Sequence, residues 1–310
     1  MTQSRILVAG SLHLDIIVTS DRLPMLGETL AGSASLTKCG GKGANQAVEA
    51  ARHGGAVAMA GCVGADAFGD RLRAHLAEAG VDVTHLATTA GASGMSVVVS
   101  ERSGDYAAVI VSGANQELAP EQVEAACRLL PAGGVLVLQN EVPETANRAA
   151  AAAARGKGAL VILNAAPARP LDAGLAGLVD ILVVNAIEAE MLGACHVASL
   201  ADATGAARHL CGVVRSVIVT AGGAGVAFSG PGGTGALPPH RITPVSTHGA
   251  GDAFIGALAA RLAGGAPFSQ AVAYANAAAA MIVATPEAQR RGLGPADTET
   301  LLRQELPAGC

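Results

Sequence analysis

Short aliphatic runs alternate along this chain with longer segments in which apolar residues recur every three or four positions. Residues 6–9, 57–61, 135–139, 160–164, 181–185 and 217–220 are rich in Val, Ile and Leu and read as strands. Several are apolar throughout, as expected of parallel strands covered on both faces. Between them, 44–53 places Ala44, Ala47, Val48 and Ala51 on one helical face and stops at Gly54-Gly55. The segment 68–78 is amphipathic and ends at Gly80, and 120–130, 145–155 and 199–211 follow the same pattern. Phe254, Ala257, Leu258 and Leu262 form another helical stripe, which places a helix start near Ala250. The alternation predicts a doubly wound α/β sheet with helices on both faces, an α/β/α sandwich.

Two regions break the rhythm. Strand-like 14–19 and 30–36 flank Leu23-Pro24-Met25-Leu26-Gly27, and 95–100 and 107–111 flank the hairpin signal Arg102-Ser103-Gly104-Asp105. Four strands without helices, inserted at about 14–36 and 95–112, predict a small β-sheet packed as a lid over the edge of the main sheet. There is no long linker and no repeat, so residues 1–310 read as one domain.

Composition narrows the picture. Hydrophobic residues make up 51% of the chain, but many are alanine and none is tryptophan, so the core requires close approach between elements. A net charge of −5 without a basic block argues against a nucleic-acid partner. The six cysteines form no Cys-x-x-Cys pair, which disfavours a zinc ribbon or disulfide scaffold and suits a reducing cytosol. The apolar run 6–9 is too short for a signal-peptide core, and 271–284, interrupted by Asn276, is too short to span a bilayer. A cytoplasmic protein without membrane partners is the expectation. His-Glu-x-x-His, Gly-x-Ser-x-Gly and clustered Cys/His ligands are missing, which removes most support for zinc or serine hydrolysis.

The sharpest chemical signal is Val245-Ser246-Thr247-His248-Gly249-Ala250-Gly251-Asp252-Ala253-Phe254. Small residues at a helix start leave backbone N–H groups open to an anion, and the helix dipole favours one there. Asp252 would repel a phosphate; it suits a base that takes a proton from the attacking nucleophile. The plain alternative is a glycine turn before a helix, with Asp252 as an N-terminal charge. A second motif, Gly40-Gly41-Lys42-Gly43-Ala44-Asn45-Gln46-Ala47, offers donors from Lys42 and Asn45 to a polyhydroxylated or phosphorylated ligand. It is not a Walker A loop. A third, Gly10-Ser11-Leu12-His13-Leu14-Asp15, follows the first strand, where Asp15 is placed to accept sugar hydroxyls. Asn140-Glu141, Asn185 with Glu188, and Thr220 to Gly225 follow later strands at the same predicted sheet edge.

These residues resemble the ribokinase (PfkB-type) carbohydrate kinase family nearly end to end. The resemblance rests on Gly10-Ser11 with Asp15, the Gly40 to Ala47 segment, Asn164-Ala165-Ala166-Pro167-Ala168, Asn185 with Glu188 and Glu190, Thr220-x-Gly, and Gly249 to Phe254. The Gly-Gly-Lys-Gly-Ala-Asn-Gln-Ala form is closer to ribokinases than to fructokinases or adenosine kinases. The resemblance implies a sandwich with a β-lid that also forms a homodimer contact, and an ATP- and Mg²⁺-dependent sugar kinase. It implies Asp252 as base for the primary hydroxyl and the N–H groups of Gly249, Ala250 and Gly251 as anion hole. His13, Asp15, Gly41, Lys42, Asn45 and Glu141 are implied on the sugar; Asn185, Thr220, Gly222, Gly225 and Asn276 on the nucleotide; and Glu188 on Mg²⁺ through water.

Departures from the family pattern bear on substrate and cation. His13 replaces an asparagine that touches the sugar, which leaves ribose, another sugar or a nucleoside open. Ser246 replaces an aspartate that helps hold an activating monovalent cation, and Pro286-Glu287-Ala288-Gln289 lacks the glycine usual before Ala-Gln. His248 adds a titratable ring at the same place, so a K⁺ site at Ser246 and His248 stays an open expectation. A non-catalytic sugar-binding protein of the same fold is the alternative from another class.

Overall fold

The computed structural model describes residues 5–101 and 106–305. The hairpin signal at 102–105 lies outside the described residues. Thirteen strands follow in chain order: β1 (Ile6–Ala9), β2 (His13–Ser20), β3 (Ala34–Gly40), β4 (Val57–Gly64), β5 (Asp82–Thr89), β6 (Met95–Glu101), β7 (Tyr106–Val111), β8 (Val135–Gln139), β9 (Leu160–Asn164), β10 (Ile181–Asn185), β11 (Ser216–Thr220), β12 (Val226–Gly230) and β13 (Gly233–Leu237). Ten helices are interleaved: α1 (Lys42–Arg52), α2 (Ala67–Glu78), α3 (Pro120–Cys127), α4 (Glu144–Gly156), α5 (Ala173–Ala176), α6 (Ala186–Met191), α7 (Leu200–Leu210), α8 (Ala250–Ala263), α9 (Phe268–Ala284) and α10 (Pro295–Glu305).

Nine strands form the main sheet in the order β13-β12-β11-β10-β9-β8-β1-β4-β5. All pairs from β5 to β11 are parallel, while β12 and β13 add an antiparallel edge. The six runs predicted from aliphatic content are all strands of this sheet. Successive side chains alternate between its two faces. Leu7, Ala9, Leu136, Leu138, Val161 and Leu163 pack with the face covered by α3, α4 and α7. Ile6, Val8, Val135, Val137 and Ile162 pack with that covered by α1, α8 and α9. Small residues let the second layer close tightly. A Cβ on Gly256 of α8 would come within 2.5 Å of Glu49 Cβ and 2.6 Å of Ala50 N of α1.

The sheet order reverses at β1, which lies between β4 and β8. The chain builds outward through β4 and β5, then returns to the other flank of β1. Such a switch point opens a crevice outside the C-terminal strand ends, where ligands of open α/β sheets bind. The remaining strands form a second sheet, β3-β2-β6-β7, the expected lid. Its second strand starts at Ala34, not Leu30, and runs to Gly40. Register decides this: Gly40 pairs with His13 and Ala34 with Thr19, so β3 must reach the glycine motif, and the chain before Ser33 lies beyond the ladder.

Candidate active site

Parallel register brings the polar strand ends together. Gln139 is level with Asn164, and Asn185 with Thr220, at the C-terminal edge of the sheet. Gly10 and Ser11 leave β1 at that edge, and Lys42 begins α1 directly beneath the lid strand β3. Gly41 joins β3 to α1 with φ +93°, and a Cβ there would lie 2.8 Å from both His13 N and Leu12 Cα. Only glycine fits both the backbone angle and the space.

Asp252 sits in the first turn of α8. Its Oδ2 accepts from Asn45 Nδ2 at 3.0 Å and its Oδ1 from Gln46 Nε2 at 2.9 Å. Gln46 is fully buried, donates also to Asn164 Oδ1 at 3.0 Å, and accepts from Gln139 Nε2 at 2.8 Å. Asn147 in turn donates to the Gln139 carbonyl at 2.7 Å. Burial pushes the Asp252 carboxyl above the ordinary aspartate range, opposed by the charge of Lys42 and by the Gln46 and Asn45 donors.

Gly249, immediately before α8, has φ +80°, the left-handed region in which a Cβ is strained. The Ala250 N–H closes a turn on Thr247 O at 3.2 Å, whereas no backbone carbonyl among the described residues takes the N–H of Gly249 or Gly251. A Cβ on Gly251 would meet nothing within 4 Å. Packing therefore does not demand a glycine there, and the open space belongs to a cavity of about 200 Å³ that also touches Lys42, Asn185, Glu188, Thr220 and Asp252. Open N–H groups at the start of a 14-residue helix, beside a lysine and facing that cavity, fit the phosphates of a nucleotide.

Asn185 caps α6 in a reciprocal box: its side chain accepts from Glu188 N at 2.8 Å, and Glu188 Oε2 accepts from Asn185 N at 2.8 Å. Burial raises the Glu188 carboxyl. No cluster of three metal-ligating side chains occurs among the described residues. A Mg²⁺ ion keeps much of its water and is held mainly by phosphates, so a single carboxylate facing the cavity fits it. Asn276 donates to Pro238 O at 3.3 Å, and neither it nor Gly222 nor Gly225 borders the cavity.

Under the lid, Glu141 Oε2 accepts from Ser11 Oγ and, at 3.1 Å, from Lys42 N. Asp15 Oδ1 accepts from Ser96 Oγ on the neighbouring lid strand. His13 is buried, with Nδ1 3.9 Å from Glu141 Oε2 and Nε2 3.3 Å from Asn115 Nδ2. The Asn115 amide is oriented by Leu12 N donating to its Oδ1 and by its Nδ2 donating to Leu12 O, each at 2.8 Å. His13 Nε2 is therefore the acceptor, and the ring proton lies on Nδ1 towards Glu141. Burial lowers the His13 pKa more than Glu141 and Asp15 raise it, keeping the ring neutral near pH 7.

The expected cation site does not fit a free alkali ion. Ser246 O and His248 O accept from the Arg290 guanidinium at 3.2 and 2.8 Å, so an ion coordinated by those oxygens would lie against a fixed positive charge. Burial and Lys38 lower the His248 pKa, so that ring adds no second positive charge to the cluster.

Sequence reasoning quoted Gln46 and Ser11 within motifs without giving them a role, and passed over Ser96, Asn115 and Arg290. Gln46 had a signal, since it is a polar residue between Ala44 and Ala47 on the buried stripe of α1. Ser96, Asn115 and Arg290 had none, because the partners that place them at the site, Asp15, His13 and His248, are 81, 102 and 42 positions away respectively.

The profile of pfkB family carbohydrate kinases matches residues 3–293. Ribokinase of Haemophilus influenzae is 34% identical over 285 residues, covering 91% of this chain and 93% of that protein. Deoxyribokinase of Salmonella typhi is 35% identical over 257 residues, covering 82% of this chain and 84% of that protein. Among solved structures, Arabidopsis thaliana ribokinase complexed with ribose and ATP superposes with a TM-score of 0.88 at 28% identity, covering 97% of this chain and 99% of that one.

Proposed function

The chain belongs to the pfkB family of carbohydrate kinases, and from that premise we propose that it transfers the terminal phosphoryl group of ATP to the primary hydroxyl of a pentose, converting D-ribose to ribose 5-phosphate. The observation that carries this reading is the Asp252 carboxylate, fixed by Asn45 and Gln46 beside the open N–H groups of Gly249 and Gly251.

The division of labour follows from the geometry. Glu141, Asp15, His13, Lys42 and Asn45 lie on the lid side and present acceptors and donors to a small polyol. Asp252 lies where the two halves meet and takes the proton of the attacking hydroxyl; its raised pKa makes it a better acceptor than an ordinary aspartate. The N–H groups of Gly249 and Gly251, with Lys42, stabilise charge on the transferred group, usually the largest catalytic contribution in phosphoryl transfer. Asn185 and Thr220 line the nucleotide side with Glu188, beyond which Mg²⁺ would neutralise phosphate charge. Gly222, Gly225 and Asn276 extend that side away from the cavity. Lid closure over the sugar excludes water that would otherwise hydrolyse ATP.

Deoxyribose is the second reading. His13 favours it, because a buried neutral ring offers fewer hydrogen bonds to hydroxyls than a carboxamide, and the Salmonella typhi relative is a deoxyribokinase. ADP release measured against ribose, deoxyribose, fructose and nucleosides decides between them. Ribose giving the highest kcat/KM supports the first reading, and no release with any sugar overturns both.

The lid exposes Leu36, Val97, Val109, Ile110 and Val111, an apolar set large for a free sheet. This supports a homodimer formed through the lid, which sedimentation velocity tests. No described helix is long and apolar enough to cross a membrane, which is compatible with a cytoplasmic location.

A further inference from the structure

Arg290 is 8% exposed, in the short 3₁₀ segment Glu287–Gly292 after α9. Its guanidinium donates from Nε to Thr285 O at 2.9 Å, from Nη1 to His248 O at 2.8 Å and from Nη2 to Ser246 O at 3.2 Å. Among the described residues, all its hydrogen bonds therefore end on backbone carbonyls. Those carbonyls come from two segments, the loop that leads into Gly249 and the turn that ends α9. The same two segments are also stitched by Val245 N and Ser246 N, which both donate to Val283 O, at 2.8 and 3.2 Å.

Converging carbonyl oxygens on a chain turn are what a weakly hydrated cation needs, and a guanidinium is a planar, permanently charged one with several donors. Here the cation is covalently attached. It also reaches the catalytic turn, since a Cβ placed on Gly249 would be 3.9 Å from Arg290 Nη1. Ser246 brings no carboxylate to this cluster, so the arginine's charge is answered by carbonyl dipoles. Glu49 and Glu287 are carboxylates near enough to feel it.

We infer that Arg290 is a positioning residue that acts as a tethered internal cation: it holds the Ser246 to Gly249 loop, and through it the anion-hole N–H groups, in place of a free monovalent ion. Arg290 touches no substrate. Its role rests on the kinase reading above for its catalytic consequence, but the cation substitution itself has a readout independent of turnover. The loop before α8 must keep Gly249 in its left-handed conformation for the N–H groups to face the cavity. Losing three carbonyl anchors would loosen that turn and lower kcat more than it changes the KM for sugar.

The test combines ADP-release kinetics with thermal melting, each in KCl, NaCl and choline chloride at equal ionic strength of about 0.1 M. The wild-type protein is expected to show rates that agree within about twofold across the three salts and a Tm that does not depend on the cation. Arg290→Ala is expected to lose about tenfold or more in kcat in choline chloride, with several-fold recovery in KCl or on adding millimolar guanidinium. Its Tm should rise in KCl relative to choline. Arg290→Lys should retain more of kcat than Arg290→Ala. Activation or stabilisation of the wild-type protein by K⁺ of more than about fivefold in rate, or a K⁺-specific rise in its Tm, overturns the inference. Full activity of Arg290→Ala in choline overturns it too, as does a loss that neither K⁺ nor guanidinium restores. If Arg290→Ala does not fold, the wild-type cation series and Arg290→Lys decide. A wild-type protein that turns over no sugar refutes the kinase reading alone, and the melting series still judges the cation.

Discussion

Gln46 Nε2 lies 2.9 Å from Asp252 Oδ1, so a fully buried amide on α1 holds the carboxylate that begins α8. The two residues are 206 positions apart. Neither could be placed against the other by local pattern, yet the contact fixes the direction in which Asp252 points. The amide is itself fixed by Gln139 and Asn164, so the carboxylate rests on a chain of side chains rooted in two adjacent strands.

Replacing Gln46 by Leu therefore removes one donor from Asp252 and leaves the Gln139 amide and Asn164 carbonyl without their partner. Each buried polar group left unpaired costs about 1–3 kcal/mol. Gln46→Leu is expected to lower Tm measurably and to lower kcat by roughly tenfold or more, with the nucleotide Kd nearly unchanged. Calorimetric nucleotide binding beside steady-state ADP release checks this; an unchanged kcat would mean that Asp252 needs no such support.

Asp252→Asn keeps the size of the side chain and removes the carboxylate proposed as the base. General-base catalysis contributes about 10²–10⁴ in rate, so turnover should fall by that order while ATP binding persists. Retained turnover would take Asp252 out of the proton-accepting role.

The pH dependence follows from the direction of the Asp252 shift. Burial raises its pKa, so the active ionised form is present above that value and is lost as pH falls through it. The acid limb of kcat/KM should thus lie above the ordinary aspartate value of 3.8. For stability, the ionised carboxylate is a cost to the fold at pH above its folded-state pKa, and that cost fades as pH drops through it. Lys42 opposes the shift by its charge. Lys42→Met should therefore move the acid limb to higher pH, in addition to weakening substrate binding. A limb that moves downward in this variant would contradict the assignment of the limb to Asp252.

The sheet and the strand ends that line the crevice were legible because aliphatic runs of four or five residues between helical stripes leave little freedom in how they pack. The start of α8 was legible for a local reason too: Gly249, Ala250 and Gly251 precede an apolar stripe. The antiparallel edge was not. Val226–Gly230 is mostly buried and Gly233–Leu237 mostly exposed, each is only five residues long, and neither carries a strong aliphatic run. The lid was read with β3 starting four residues early because Leu30 looks like a strand residue; only pairing with β2 sets the true start at Ala34. At the site, Asp252, Asn45, Lys42 and Glu141 declared themselves by their glycine surroundings or strand-end position. Asn115 and Arg290 reach the site through Leu12 and through Ser246 and His248, groups distant in sequence, and such partnerships have no periodicity to reveal them.

Packing between α1 and α8 offers a prediction independent of chemistry. Gly256 has no room for a methyl group, since its Cβ would fall within 2.6 Å of the Ala50 backbone nitrogen. Backbone cannot yield as a flexible side chain can. Gly256→Ala should cost about 1–3 kcal/mol by overpacking, despite the better helix propensity of alanine. Because α1 carries Asn45 and Gln46 and α8 carries Asp252, kcat should fall as well, even in variants folded at the assay temperature. Chemical denaturation with ADP-release kinetics measures both; a stabilised variant would show that the helices separate without strain.

His13 is the position on which the two proposed sugar readings differ. The ring is buried, its Nε2 accepts from Asn115, and its Nδ1 proton points at Glu141. A hydroxyl arriving between His13 and Glu141 would have to compete for that proton direction. Asparagine at this position would give both a donor and an acceptor in less volume, suiting a sugar with one more hydroxyl. His13→Asn is therefore expected to raise kcat/KM for ribose relative to deoxyribose. A site built to hydrogen-bond a hydroxyl discriminates strongly against its absence, and the change in ratio should be about tenfold or more. Asn115→Ala should act differently. It removes the donor that fixes the ring's orientation and tautomer but leaves the imidazole in place, so KM should rise for both sugars and their ratio should move less than in His13→Asn. Competition kinetics with the two sugars in one assay reads the ratio directly. An unchanged ratio in His13→Asn would place sugar selection elsewhere in the lid, with Asp15 and Ser96 the next pair to vary.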